Sequence, residues 1–188
     1  MVSAAVTKTE PYTVTYRIRT DAAWSDASPV AAEDFVYLRE RMRDEPGTVD
    51  SAGYRIISDI KSDEGGKVVV VTFTQPYPGW RSLFSSLLPA HILKDAPGGW
   101  DQVLEGGFPA TAGPFNIKQT DNARGEIVVE RNERYWGQPA VAESVIFRRA
   151  DALGQTDALR TSHDQMVVSS TDPTLFKALG EKVTVQTA

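Results

Sequence analysis

The chain has 188 residues, 20 Lys and Arg against 25 Asp and Glu, a net charge of −5 and no cysteine. Its length suits one large domain or two small ones, and a 41% apolar share is enough for a core. Zero cysteine excludes a disulfide framework, a thiolate metal site and a cysteine nucleophile. Apolar runs of a few residues exclude a bilayer span, and the acidic balance without a Lys/Arg cluster argues against nucleic acid.

The chain opens on Met-Val-Ser-Ala-Ala-Val, without the basic-then-apolar profile of a signal peptide. Its first clear element is Tyr12–Arg19, where Val14, Tyr16 and Ile18 alternate with polar residues and predict a strand. A polar stretch carrying Trp24 follows. From Ala32 to Arg43 the apolar positions Phe35, Leu38 and Met42 recur at three and four, which predicts an amphipathic helix stopped by Pro46-Gly47. Ile56–Ser62 and Lys67–Thr74 flank Gly65-Gly66 and predict a hairpin. The unbroken run Val68–Val71 predicts a strand covered on both faces. Short helices are expected near Trp80–Ser85 and Trp100–Glu105.

After Gly106-Gly107 the pattern changes. Residues 114–119 and 126–131 predict a second antiparallel pair around a loop through Asn122 and Gly125. Ser144–Arg149 reads as a strand, Leu153–Arg160 as a helix, Gln165–Ser169 as a strand and Pro173–Leu179 as a helix. That alternation predicts a mixed α/β (α+β) fold, divided near Gly106–Thr111. The closing stretch Lys182–Ala188 alternates like a strand with nothing after it, and we expect a segment of a longer protein.

No Gly-x-Ser-x-Gly elbow, phosphate loop, dinucleotide fingerprint or His-Glu-x-x-His pattern occurs, so no catalytic residue, metal ligand or cofactor is assigned. The two histidines, His91 and His163, are expected to be structural or solvated. The carboxylate pairs Glu33-Asp34, Asp44-Glu45 and Asp63-Glu64 sit at a helix start, a helix end and a turn. Sequence neighbours on a helix do not converge on a substrate, so capping and solvation are their expected roles. Tyr77, Trp80, Trp100, Tyr135 and Trp136 lie in or beside loops, where an aromatic either plugs the loop onto the core or walls a ligand pocket. Plugging is the commoner role.

Three stretches are more specific. Trp24-Ser-Asp-Ala-Ser-Pro-Val-Ala-Ala-Glu-Asp-Phe35, Pro89-Ala-His-Ile-Leu93, and Thr111-Ala-Gly-Pro-Phe115 followed by Glu130-Arg-Asn-Glu-Arg-Tyr-Trp136 resemble, in order and spacing, motifs of the family 5 extracellular solute-binding proteins. Two departures stand out. The family's glycine is Ala27 here, so the turn lacks an easy positive φ. Its helix-capping threonine is Ala31, which leaves the Asp34 carboxylate without its capping partner. A third replaces a later glycine by His163. The first two, with Tyr12–Arg19 and Gln75-Pro-Tyr-Pro-Gly-Trp80, resemble an actinobacterial lipoprotein branch associated with envelope glycolipid (mannosylated phosphatidylinositol) pathways.

The resemblance implies part of a type II, periplasmic-binding-protein-like clamshell lobe. Residues 1–107 would be a first-lobe small subdomain and 108–188 the start of the central α/β subdomain. It implies a small-molecule or peptide solute held between lobes, an ABC permease as partner of the full-length protein, and no enzyme activity. It also implies a monomer outside the cytoplasm whose only tie to the membrane is an upstream lipid anchor. Within this chain the expected ligand contacts are Tyr54, Tyr77, Trp80, Ala112, Gly113 and Phe115. A small backbone such as Ala112-Gly113 lets a ligand approach closely.

Overall fold

A computed structural model describes residues 1–45, 51–105, 107–161, 163 and 166. The first elements are β1 (Ser3–Thr9) and β2 (Tyr12–Arg17), then α1 (Ala32–Asp44), α2 (Ala52–Arg55), β3 (Ile57–Asp63) and β4 (Val68–Phe73). A 3-10 turn at Pro78–Ser82 leads to α3 (Ala90–Leu93) and α4 (Gly99–Glu105). β5 (Phe115–Asp121), β6 (Glu126–Arg131), β7 (Ser144–Arg148) and α5 (Ala152–Arg160) complete the described elements.

The first four strands make one antiparallel sheet in the order β1-β2-β4-β3. Pairing of Val14 with Val71 and Tyr16 with Val69 puts the large residues of β2 and β4 on one face. Phe35 and Leu38 of α1 join them in one core with Trp24, Tyr54, Trp80 and Phe84. Central placement explains the apolar run of β4: Val68, Val69, Val71 and Phe73 are all buried, and Val70 is half-buried. A second, smaller cluster packs α3 and α4 against Tyr37 on the other flank of α1.

Helix α1 follows the predicted span almost residue for residue. Glu33 and Asp34 sit in its first turn and Arg41 and Arg43 in its last, each sign favoured by the helix dipole. Strand β1 was invisible to periodicity because Ser-Ala-Ala-Val-Thr-Lys-Thr offers the core little; nearly all of it is exposed. Helix α3 is four residues long, too short for a 3.6-residue period to show, and lies between the two short helices that the sequence predicts. The helix expected near Trp80–Ser85 is the 3-10 turn instead. The strand expected at 165–169 (Met166 apart), the helix at 173–179 and the terminal strand lie outside the described residues.

The chain divides into two compact units, Met1–Thr120 with Val128–Val145, and Asp121–Ile127 with Ile146–Ala188. The boundary expected near Gly106–Thr111 falls inside the first unit, where Ala110 is buried in the core and Ala112 and Trp136 pack against it. β5, β6 and β7 form a second sheet in that order. In the second unit the Arg149 amide donates to Gly125 O at 2.9 Å, and Asp151 caps α5 by accepting from the Gly154 amide at 2.8 Å. Among the described residues no helix is long and apolar enough to cross a membrane.

The turn at Trp24–Pro29 keeps the backbone that glycine would favour. Ala27 has φ 75°, and its amide donates to Trp24 O at 2.9 Å. A Cβ in the left-handed region costs about 1 kcal/mol or more. Ala27→Gly is therefore expected to raise stability by about 1 kcal/mol, less the extra chain entropy glycine brings. Urea unfolding of the two proteins measures this; an unchanged or lowered midpoint would show that Ala27 is not strained.

Candidate functional site

The three motif stretches meet in the first unit, and the Trp24–Pro29 loop is where they join. The loop closes on itself through Trp24 N to Ser28 O (2.8 Å) and Val30 N to Ala22 O (3.0 Å). Asp26 Oδ1 accepts from the Ser28 amide at 2.9 Å, an Asx turn that sets the bend. Lys67, reaching across from the start of β4, donates to Ala22 O (3.1 Å) and Val30 O (2.8 Å) and clamps both ends. Burial pulls the Lys67 ammonium below its usual range, against the opposing charges of Asp21 and Asp34.

Asp34 overturns the expected solvated role. Its side chain is buried, the residue only 3% exposed. Oδ2 accepts from the Ala31 amide (3.0 Å) and the Trp24 indole Nε1 (3.2 Å), and Oδ1 accepts from the Ala90 amide (3.0 Å). The carboxylate is thus far from alone. It supplies the reciprocal half of a capping box without a threonine, anchors the indole and caps the start of α3. Burial raises its pKa, and the hydrogen bonds from Ala31, Ala90 and Trp24 oppose that rise without cancelling it.

A second tie runs parallel to it. His91 Nε2 lies 2.7 Å from Asp26 Oδ2, so α3 is bound to the loop as well as to α1. Burial pushes the Asp26 carboxyl up, but the His91 and Ser28 hydrogen bonds and the His91 charge together bring it below the usual range. The third stretch is held by Ser25 N to Thr111 O (2.8 Å) and Thr111 N to Ser25 Oγ (3.2 Å). Buried Asn132 donates through Nδ2 to Gly113 O (2.9 Å) and accepts at Oδ1 from the Arg134 amide (3.1 Å). Trp136 closes this turn, with the Arg19 guanidinium 5.2 Å from its ring centroid.

These contacts frame a cavity of about 490 Å³ lined by Ile18, Trp24, Val30, Phe35, Phe84, Leu87, Phe108, Trp136 and the segment Ala110–Gly113, with exposed Met1, Ser85 and Ser86 also lining it. A second cavity, about 510 Å³, lies along the other side of α1 and is lined by the charged groups Glu33, Glu40, Lys94 and Asp95, with His91 beside them. Among the described residues no group of three or more His, Asp or Glu side chains could hold a metal ion.

Of the six expected contacts, the structure brings Ala112 and Gly113 to the wall of the first cavity. Half-buried Phe115 lies on β5 and lines neither cavity. Tyr54 and Trp80 are in the core, in the plugging role. The Tyr54 hydroxyl accepts from the amide of Phe84, whose φ is 58°, and the Trp80 carbonyl accepts from the Tyr16 hydroxyl; both bonds are 3.0 Å. Tyr77 lies against Gly53 and Gly79, where any Cβ would meet its ring at 2.7 and 2.9 Å, and stacks on Phe73. The two tryptophans that line the first cavity, Trp24 and Trp136, both lie in the motif stretches.

The sequence profile of the bacterial extracellular solute-binding proteins, family 5 middle, matches residues 4–187. A Mycobacterium tuberculosis protein, "Probable monoacyl phosphatidylinositol tetramannoside-binding protein LpqW", is 46% identical over 189 aligned residues, covering all of this chain and 30% of that protein. The oligopeptide-binding protein OppA of the same species is 29% identical over 85% of this chain and 28% of its own length. Among solved structures, a periplasmic EDTA-binding protein, EppA, superposes with a TM-score of 0.74 at 31% identity, over 86% of this chain and 32% of that one. The chain therefore spans about 30% of the length of the curated relatives it matches.

The Asp34 geometry gives a signed pH prediction. A carboxyl whose folded pKa is raised above the usual 3.8 contributes stability that is complete below that value and is lost as pH rises through the folded pKa. Asp34→Asn keeps an acceptor for two of the three donors but turns its amide nitrogen towards the Ala90 N–H. It should cost about 2 kcal/mol at neutral pH. Urea titrations of both proteins from about pH 3 to 7 should show the wild-type advantage shrinking as pH rises and then levelling. An advantage that grows with pH contradicts a raised pKa.

Proposed function

The chain belongs to the bacterial extracellular solute-binding proteins of family 5, and from that premise we propose that it forms part of one lobe of an extracytoplasmic receptor for an ABC importer. The match of the family profile to residues 4–187 carries this reading. Residues 1–107 form the small subdomain of the first lobe and 108–188 begin the central α/β subdomain. The solute is peptide-like and held between lobes, with Ala112 and Gly113 offering their small backbone to it and the remaining expected contacts acting from behind. The receptor binds rather than transforms its solute. It delivers it to a membrane permease as a monomer, tethered outside the cytoplasm by a lipid upstream of this segment.

One observation favours a second reading. The 46% identity to LpqW covers the whole chain, whereas the OppA relative reaches 29% over 85% of it. On this reading the protein is a lipoprotein without a transport role, acting in cell-envelope glycolipid (mannosylated phosphatidylinositol and lipoarabinomannan) biosynthesis.

Native mass spectrometry of the full-length protein, purified from its own envelope, separates the two. A co-purified peptide supports the importer; a mannosylated phosphatidylinositol supports the glycolipid role. Isothermal titration of that ligand into the full-length protein and into the 188-residue chain should show binding at least about tenfold weaker for the chain, a loss of about 1.4 kcal/mol. Equal affinities would place the whole site within this chain and overturn an interlobe cleft.

A further inference from the structure

We propose that the apolar cavity of the first unit is an acyl-chain site, taking one long uncharged hydrocarbon chain. The inference deepens the second reading above and rests on the chain being part of a solute-binding protein. The chemistry of the lining carries it. No ionisable side chain lines the cavity; its surface is hydrocarbon from Ile18, Phe84, Leu87, Phe108, Trp24 and Trp136, with hydroxyls from Ser85, Ser86 and Thr111. The Trp136 Nε1 is buried with no hydrogen-bond partner, a single uncharged donor beside this wall. Apart from the α-amino group of Met1, such a wall carries no charge to set against a carboxylate or a phosphate, and it carries none against an ammonium, so most of the desolvation cost of a charged group would go uncompensated.

Size narrows the occupant further. An apolar cavity of about 150 Å³ holds one benzene ring. The cavity here, about 490 Å³, is roughly three times larger and has room for the bulk of about eighteen carbons. That is far more than a single peptide side chain fills, and it is the scale of one acyl chain. The burial gradient gives the chain a direction. Ser85, Ser86 and Phe108 are exposed, whereas Trp24, Phe35 and Phe84 are buried. The hydrocarbon end lies against the buried aromatics, and the polar head stays at the serine rim in water.

The test uses the 188-residue chain and a monoacylglycerol whose stearoyl chain carries two bromines, heavy atoms that quench indole fluorescence on contact. Trp24 and Trp136 line the cavity, and Trp80 and Trp100 do not. Saturable quenching is expected, and Trp136→Phe should remove about half of it while Trp80→Phe leaves it unchanged. Each methylene removed from an unbrominated competitor should weaken displacement roughly fourfold. Ala112→Phe, which fills the cavity, should weaken binding at least tenfold; its circular dichroism shows whether it has folded, and if it has not, the Trp136 and chain-length results decide. Absent or unsaturable quenching, equal loss from Trp80→Phe and Trp136→Phe, or no dependence on chain length would each overturn the acyl site. None of those results bears on solute binding by the full-length protein, which native mass spectrometry tests separately. An oligopeptide that displaces the probe as well as the acylglycerol does would also overturn it.

Discussion

A single buried carboxylate holds three segments of the first unit in register. Asp34 sits in the first turn of α1, yet its oxygens satisfy the backbone amides of Ala31 and Ala90 and the indole N–H of Trp24. Each donor would be costly to bury without an acceptor, on the order of 1–3 kcal/mol. A neutral acceptor could not serve all three from one residue, because an amide presents one oxygen where the carboxylate presents two. The cost of keeping that charge out of water shows in its raised pKa. The gain is positional: the loop, the helix start and α3 are fixed to one another by one group.

The remaining ties follow the same scheme and connect the motif stretches rather than any ligand. His91 joins Asp26, Ser25 joins Thr111, Asn132 joins Gly113, and Lys67 closes the loop at both ends. Most of these are side chain to backbone bonds across wide sequence separations, which suits irregular chain that has no ladder to satisfy it. Motifs of this kind specify where loops sit. They shape a cavity wall by holding backbone in place while the wall itself is hydrocarbon.

Sequence periodicity revealed α1, the β3–β4 hairpin, the β5–β6 pair and α5, because each shows a face or a turn signal of its own. It missed β1, whose alanines and threonines bury little, and α3, whose start is fixed by Pro89 and a remote carboxylate. The aromatics illustrate the limit for sites. Tyr54, Tyr77, Trp80, Trp24 and Trp136 all read as large rings in or near loops, and composition cannot tell which ring faces inward. Register decides it: Tyr16 lies opposite Val69, and its hydroxyl reaches the Trp80 carbonyl, drawing that loop into the core. Asp34 was misread because neighbouring acids at a helix start are usually solvated; the sequence signal that pointed the other way was the motif around it, Trp24 to Phe35.

The two cavities flanking α1 make opposite demands on a ligand. One is bordered by Glu33, Glu40, Lys94 and Asp95, the other by no ionisable side chain. A peptide carries charge at both ends and needs fixed partners for it, since an ion pair or hydrogen bond must replace the lost water. Beyond the α-amino group of Met1 the hydrocarbon wall supplies no charge, so it cannot hold both ends of a peptide. A glycolipid makes the reverse demand: its sugars need hydroxyl and amide partners, while its chain needs only an uncharged volume. Under the acyl-site proposal, the first unit would meet the second half of that demand within a single piece of structure. The Asp34 network bears on both cases alike, because it fixes the loop that separates the charged flank of α1 from the apolar one.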